Sequence, residues 1–246
     1  MRVIAIDSGS AYTKAILRED DATLSRMVRA TGGRPAETAD QLCRELGQAD
    51  LIVSTGYGRR LVPAGKVVNE ITALGAGAST VQPSGTVIDI GGQDSKVLRM
   101  GKHGRVEDFV MNDRCAAGTG RFLEVMSRAI NTPLGSMAML ARDASAPVTI
   151  NNLCTVFAES EVISYLSQGR SLSDVVAGVY LSIARRIAGM VARLGLVRPV
   201  LLVGGVAMDR GVIAALEEVL ETDIVVPSDP QFITALGAAI VAEQGS

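Results

Sequence analysis

The sequence predicts an α/β protein of two lobes built on one plan, and three observations predict it. A strand-turn-strand pattern occurs twice, with Asp7 and Asp89, 82 residues apart, at matching positions. Each copy is followed by strand-like and helical segments rather than by further hairpins. The chain also carries 26 glycines, with 3% aromatic residues and no tryptophan, a composition of tight turns and close backbone approaches rather than of base-stacking surfaces.

Length and charge narrow the class. At roughly 150 residues per domain, 246 residues make one large domain or two small ones sharing a site. Hydrophobic residues are 48% and charged residues 20%, which excludes a disordered chain. With 24 basic against 26 acidic side chains there is no basic excess for binding nucleic acid. The apolar run at the N-terminus is too short for a signal peptide, and no stretch approaches 18 uncharged apolar residues, so a cytoplasmic protein with no membrane partner is expected. Three cysteines and one histidine, His103, argue against a disulfide framework and against a histidine-built metal site.

The first hairpin covers residues 3–17 and the second 86–100; they superimpose on Asp7/Asp89, Gly9/Gly91, Thr13/Ser95 and Lys14/Lys96. A helix over 36–47 and a strand over 51–53 follow the first, and a strand over 105–110 and a helix over 121–130 follow the second. Asn69-Glu70-Ile71-Thr72 opens a helix of small residues. A long helix over 172–194 repeats Val176, Val179, Ile183 and Ile187 at helical spacing and should cover a sheet. A strand over 200–203 ends in Gly204-Gly205, and a helix over 232–242 opens after Asp229-Pro230. The expected division is 1–84 with 230–246 as lobe I, and 85–229 as lobe II.

Glycine in a strand-ending turn removes the Cβ that would keep a phosphate from the main chain. Ser8, Gly9, Ser10, Thr13 and Lys14 in the first turn, and Gly91, Gly92, Gln93 and Asp94 in the second, are candidate phosphate contacts. Asp7 and Asp89, at the ends of facing strands, would lie across a cleft and hold Mg through water, because that ion keeps most of its hydration shell. Gly204, Gly205 and Val206 would let a flat adenine rest on the backbone. Glu70 is the candidate to orient an attacking water; an acid complementing the helix dipole is the alternative. This chain order of two phosphate turns and a nucleoside turn resembles the ATPase superfamily of actin, Hsp70 chaperones and sugar kinases, which implies ribonuclease-H-like lobes and bound Mg-ATP. A Walker GxxxxGK[ST] motif is absent.

Cys115, in Asn112-Asp113-Arg114-Cys115-Ala116-Ala117-Gly118-Thr119-Gly120, and Cys154, in Asn151-Asn152-Leu153-Cys154-Thr155-Val156-Phe157, each stand just ahead of an expected helix. A helix start favours thiolate; two buried apolar thiols are the other reading. An iron-sulfur cube commonly takes four thiolates, and two copies of the chain about a two-fold axis would supply them. Cys43, within a helical run, is then left to core packing.

The segments IDSGSAYTKA, STGYGR, NEITALGAGA, DIGGQDSK, NDRCAAGTGRFLE and LLVGGVA, with Cys154, resemble in order the activator ATPases of 2-hydroxyacyl-CoA dehydratases, a family that includes the ATP-binding subunits of benzoyl-CoA reductases. The resemblance implies a homodimer sharing one [4Fe-4S] cluster through Cys115 and Cys154 of each chain. It further implies ATP-driven transfer of one electron to an iron-sulfur dehydratase or reductase acting on CoA thioesters, with ferredoxin or flavodoxin as donor. A small-molecule kinase of the same fold and a regulatory ATP-binding module without a cluster remain as alternatives, as does a place in a heteromeric reductase. The loop from Thr55 to Arg60 matches the family's TGYGR and carries no assigned role; Arg59 and Arg121 are either surface charge or partner contacts.

Overall fold

In the computed structural model all residues are described except Asp113, Arg114, Leu153, Gly245 and Ser246, together with the side chain of His103. The Asp113-Arg114 part of the NDRC motif and Leu153 therefore lie outside the described residues.

The duplication seen in the hairpins extends to whole sheets. Strand β1 (Arg2–Ser8) pairs antiparallel with β2 (Tyr12–Glu19), which sets Asp7 opposite Lys14 and Ser8 opposite Thr13. Strand β3 (Ala22–Ala30) joins β2, β4 (Leu51–Thr55) lies parallel to β1, and β5 (Lys66–Val67) closes the order β3-β2-β1-β4-β5. The second sheet uses β6 (Gly85–Ile90), β7 (Ser95–Met100), β8 (Val106–Asn112), β9 (Val200–Val203) and β10 (Ile224–Val225). Its order is β8-β7-β6-β9-β10, strand for strand that of the first.

Contacts divide the chain into one unit of Met1–Val87, Leu98–Asp108 and Pro227–Ser246, and another of Ile88–Val97 and Phe109–Val226. In the first unit, alternate residues of β1 enter opposite cores, as period-two strands require. Ile4 and Ile6 pack with Leu42 and Leu46 of α1 (Pro35–Leu46), whereas Val3 and Ala5 pack with Ala235 and Ala239 of α8 (Ile233–Gln244). Burial on both faces explains why β1 reads as a continuous apolar run. Cys43 stands half-buried against the α1 side of this core, and burial, with the Asp40 charge, pushes its thiol up.

Helix α2 (Glu70–Ser79) begins behind Asn69, whose side-chain oxygen accepts from the Ile71 N–H at 2.9 Å. It crosses α8 at two glycines: a Cβ on Gly237 would collide with the Ala73 carbonyl, and one on Gly77 with the Ile233 carbonyl. The C-terminal helix starts at Ile233 rather than 232, because Pro230–Phe232 form a 3-10 turn first.

The second unit is built around α6 (Leu172–Leu194), on which Val176, Val179, Ile183 and Ile187 are all buried. Among the described helices only α6 is long and apolar enough to cross a membrane, and 61% of its apolar window is buried in the fold, so its apolarity is that of a core helix. Ser171 and Asp174 open it: the Asp174 N–H donates to Ser171 Oγ at 3.0 Å, while Asp174 Oδ1 accepts from Ser145 and Ala146. Helices α3 (Gly120–Ala129), α4 (Leu134–Ala141), α5 (Thr155–Ser167) and α7 (Arg210–Leu220) complete the unit. The Asp209 carboxylate caps α7 through the N–H groups of Gly211 and Val212 and accepts from the Tyr180 hydroxyl at 3.1 Å.

Candidate functional site

The two hairpin turns share a buried aspartate and a nearby lysine but close through different backbone bonds. In the first, the Gly9 N–H donates to the Asp7 carbonyl at 3.1 Å, and Lys14 Nζ folds back to 3.2 Å from Asp7 Oδ2. In the second, the Gly91 N–H donates to the Asp94 carbonyl at 2.9 Å, and Lys96 Nζ lies 2.8 Å from Asp94 and 3.5 Å from Asp89. Asp7 and Asp89 are each 6% exposed. Burying a carboxylate costs free energy that a nearby cation offsets, which explains the lysine at the same place in both copies. Lys14, the candidate phosphate contact, lies against Asp7, and Lys96 occupies the matching position in the second copy.

Thr13 and Ser95, the paired hydroxyls, also do equivalent work. Thr13 Oγ1 bonds Thr31 Oγ1 at 3.0 Å, with Thr31 Oγ1 donating to the Gly9 carbonyl, and Ser95 Oγ donates to the Gly118 carbonyl at 2.6 Å. Both hydroxyls are fully buried and serve to fix the chain around each turn. The start of α3 is tied down directly, the N–H groups of Gly120 and Arg121 donating to the carbonyls of Gly91 and Gly92 at 2.9 and 2.8 Å. Gln93 is exposed, while Ser10, Gly92 and Asp94 are half-buried.

A further correspondence was hidden in the sequence. Strand β4 ends at Thr55-Gly56 and β9 at Val203-Gly204, and these strands occupy equivalent places in the two sheets. Gly56 has φ +86° and Gly204 φ +89°. A Cβ on Gly56 would collide with Asp7 Oδ1, and one on Gly204 with Asp89 Oδ1. The TGYGR loop is therefore the counterpart of the Gly204-Gly205 turn, pressed onto the first aspartate as that turn is pressed onto the second. The Gly58 N–H donates to the Ser8 carbonyl at 2.8 Å, and Tyr57 projects outward with 80% exposure. Beside Asp7, the buried hydroxyls of Ser8 and Thr55 have no hydrogen-bond partner among the described residues. Gly205 is exposed with nothing within 4 Å of a built Cβ, and buried Val206 anchors the 3-10 turn Gly205–Met208. Glu70 is the first residue of α2, half-buried.

Cys154 stands directly before α5 and Cys115 in the loop five residues ahead of α3, and the two helices pack on each other. Cys115 is half-buried against the core of the second unit. Its loop is fixed by Asn112, whose Nδ2 donates to the carbonyls of Cys115 and Ala117, both at 3.0 Å. Cys154 is exposed and is itself the residue before the first turn of α5, which no side chain caps. Among the described residues no group of three or more His, Cys, Asp or Glu side chains gathers to hold a metal. The described residues of one chain do not gather four thiolates, whereas Cys115 and Cys154 from each of two chains make the four that a cube commonly takes.

The model of the BadF/BadG/BcrA/BcrD ATPase family matches residues 4–242. The chain is 42% identical to the activator of lactoyl-CoA dehydratase of Anaerotignum propionicum, covering 100% of this chain and 99% of that one. The solved structure of the activator of 2-hydroxyisocaproyl-CoA dehydratase from Clostridium difficile, with bound ADPNP, superimposes with a TM-score of 0.91 at 38% identity, covering 100% of this chain and 95% of that one. A ROK-family glucokinase from Streptomyces griseus, only 16% identical, has the same fold at a TM-score of 0.62 over 100% of both chains. The fold is that of the actin-like ATPases and sugar kinases, as the two matching sheets require.

Proposed function

Because the chain belongs to the BadF/BadG/BcrA/BcrD ATPase family, we propose that it is the ATP-dependent activator of a cytoplasmic dehydratase or reductase acting on a CoA thioester. In this reading two copies of the chain share one [4Fe-4S] cluster, held by Cys115 and Cys154 of each, and pass single electrons to the partner enzyme. The observation that carries it is that the two thiols outside the first unit lie ahead of two adjoining helices, Cys115 in the loop before α3 and exposed Cys154 directly before α5. Exposed Val156 and Phe157 beside Cys154 supply apolar surface for the second copy.

Asp7 and Asp89 hold hydrated Mg, while the turns at Ser8, Gly9, Ser10, Thr13 and Lys14 and at Gly91, Gly92, Gln93 and Asp94 bind phosphate oxygens. Gly204, Gly205 and Val206 support the adenosine, and Glu70 orients the water for hydrolysis. Orphaned Ser8 and Thr55 hydroxyls beside Asp7 and the uncovered Gly205 backbone suit a polyanionic nucleotide. The cluster, when bound, supplies a low-potential one-electron couple; ferredoxin or flavodoxin fits as its donor. Nucleotide can drive the change only through unequal affinity for two conformations, about 5.5 kcal/mol for a shift from 1:99 to 99:1.

The test is iron and sulfide content after anaerobic purification, with molar mass, for the parent and for Cys115→Ser and Cys154→Ser. About two irons per chain in a dimer, half of a four-iron cube, lost in either variant, is the expected result. An iron-free protein that binds ATP and cannot be reconstituted overturns the cluster and leaves phosphoryl transfer to a small acceptor as the chemistry to pursue.

A further inference from the structure

Helix α5 clasps the segment that leads into its own first residue. Glu161, two turns into the helix, receives the Asn151 N–H at 3.0 and 3.1 Å on its two oxygens and Asn151 Nδ2 at 3.0 Å. The same carboxylate receives the Asn152 N–H at 3.1 Å and Asn152 Nδ2 at 2.7 Å. One turn further on, the Tyr165 hydroxyl donates to the Thr149 carbonyl at 2.8 Å. Residues 149–152 are thereby laid along α5, Tyr165 holding the far end and Glu161 the end next to Cys154.

Among the described residues the donors to this carboxylate belong to the same two asparagines, and none is a basic side chain. Partial burial acts to raise the carboxyl, but the four asparagine N–H donors outweigh it and hold Glu161 below the usual carboxylate range, so the acceptor stays ionised. Ionised acceptors make the stronger hydrogen bonds. Ile150 is buried in the core and fixes the upstream end of the segment, but Asn151, Asn152 and Cys154 are all exposed, so core packing does not fix the part next to the thiol. Asn112 performs the matching service for Cys115 from the strand side.

We propose that Glu161 is a positioning residue for Cys154, its carboxylate fixing the Asn151-Asn152 backbone so that the thiol is delivered in one orientation to the shared metal site. The inference rests on the reading of Cys154 as a cluster ligand. Outer residues that orient a ligand commonly change metal affinity 10- to 100-fold when replaced.

The experiment compares the parent with Glu161→Gln, Glu161→Ala and, as a control on the far end of the clasp, Tyr165→Phe. Amide hydrogen exchange over residues 149–158 and the alkylation rate of Cys154 are read in iron-free protein, and the rate of iron loss to a chelator in reconstituted protein. Expected are faster exchange at Asn151 and Asn152 and about 10-fold or faster iron loss in both Glu161 variants, with an unchanged thermal midpoint and a smaller effect of Tyr165→Phe. Unchanged exchange in Glu161→Ala overturns the clasp. Faster exchange with parental iron retention overturns the positioning role and leaves a local structural bond. A parent that takes up no iron defeats the cluster reading, and with it the positioning role, whatever Glu161 does to exchange and alkylation.

Discussion

The Lys96 ammonium is held 2.8 Å from the Asp94 carboxylate inside the second hairpin, with the lysine side chain only 1% exposed. Its counterpart Lys14 meets Asp7 at 3.2 Å with 16% of its side chain exposed. Removing one partner of a buried ion pair leaves the other charge uncompensated, a cost of about 3–5 kcal/mol. Lys96→Met should therefore lose stability of that order in urea unfolding, and Lys14→Met clearly less. Equal losses would show that burial does not decide the cost.

The α2–α8 crossing has no room for a methyl group at Gly77 or Gly237, where backbone carbonyls occupy the place of a Cβ. Gly237→Ala should destabilise by about 1–3 kcal/mol or more through overpacking. Gly189, exposed on α6 with nothing within 4 Å of a built Cβ, provides the opposite case. Gly189→Ala should stabilise by up to about 1 kcal/mol, the helix-propensity difference. Thermal midpoints of the two variants, moving in opposite directions, check the pair.

Gly56 and Gly204 combine positive φ with contact on Asp7 and Asp89. Alanine at either position must push the carboxylate aside and strain the backbone, at about 1–2 kcal/mol for the strain alone. If both aspartates hold hydrated Mg beside the nucleotide, Gly56→Ala and Gly204→Ala should each weaken Mg-ATP binding about tenfold or more in calorimetry. Binding of ATP unaffected by Gly56→Ala would remove the TGYGR loop from the site.

Asp174 gives a pH dependence of definite sign. The Ala146 N–H and the bond with Ser171, with Ser145 and Arg170 adding to them, hold its carboxyl below the ordinary range against a smaller opposing effect of burial. A lowered carboxyl adds stability that is complete above its unfolded pKa, near 4, and is lost as pH falls through the lower folded value. The stability gap between the parent and Asp174→Asn should be constant from neutral pH down to about pH 4 and then close on further acidification. A gap independent of pH would mean that the ionised form makes no special contribution.

Asp209 joins α7 to α6 through Tyr180. Burial pushes the Asp209 carboxyl up against the hydrogen bonds from Gly211, Tyr180 and Val212, and burial and the Asp209 charge raise the Tyr180 hydroxyl. Asp209→Ala should cost about 1 kcal/mol for the lost cap, with a further 1–3 kcal/mol, roughly, for a buried hydroxyl left without a partner. The double variant with Tyr180→Phe should recover the second part, as a double-mutant cycle in urea would measure.

Much of this was legible because it is periodic or local. A continuous apolar run marked β1, the 3.6-residue repeat marked α6, and the matched Asp7/Asp89 and Lys14/Lys96 revealed the duplication before any contact was known. The helices α4 and α7 went unread: α4 is apolar nearly all round, and the signal for α7 was its capping aspartate, Asp209, two residues ahead of Gly211. Glu161 was missed for another reason. A glutamate in mid-helix has the propensity of a surface residue, and only the turning back of 149–152 along α5 brings donors to it.

By itself the sequence determined the two-lobed α/β plan, the turns with their acids and lysines, and the helix entries bearing Cys115 and Cys154, since each follows from residue types at short, fixed spacings. Only the tertiary structure decided that Gly56 meets Asp7, that Gly237 meets Ala73, and that Lys14 turns to an aspartate. Those approaches join strands and helices from distant parts of the chain or choose among partners within reach. Their cost or benefit is set by a few tenths of an ångström of packing, which spacing along a chain does not encode.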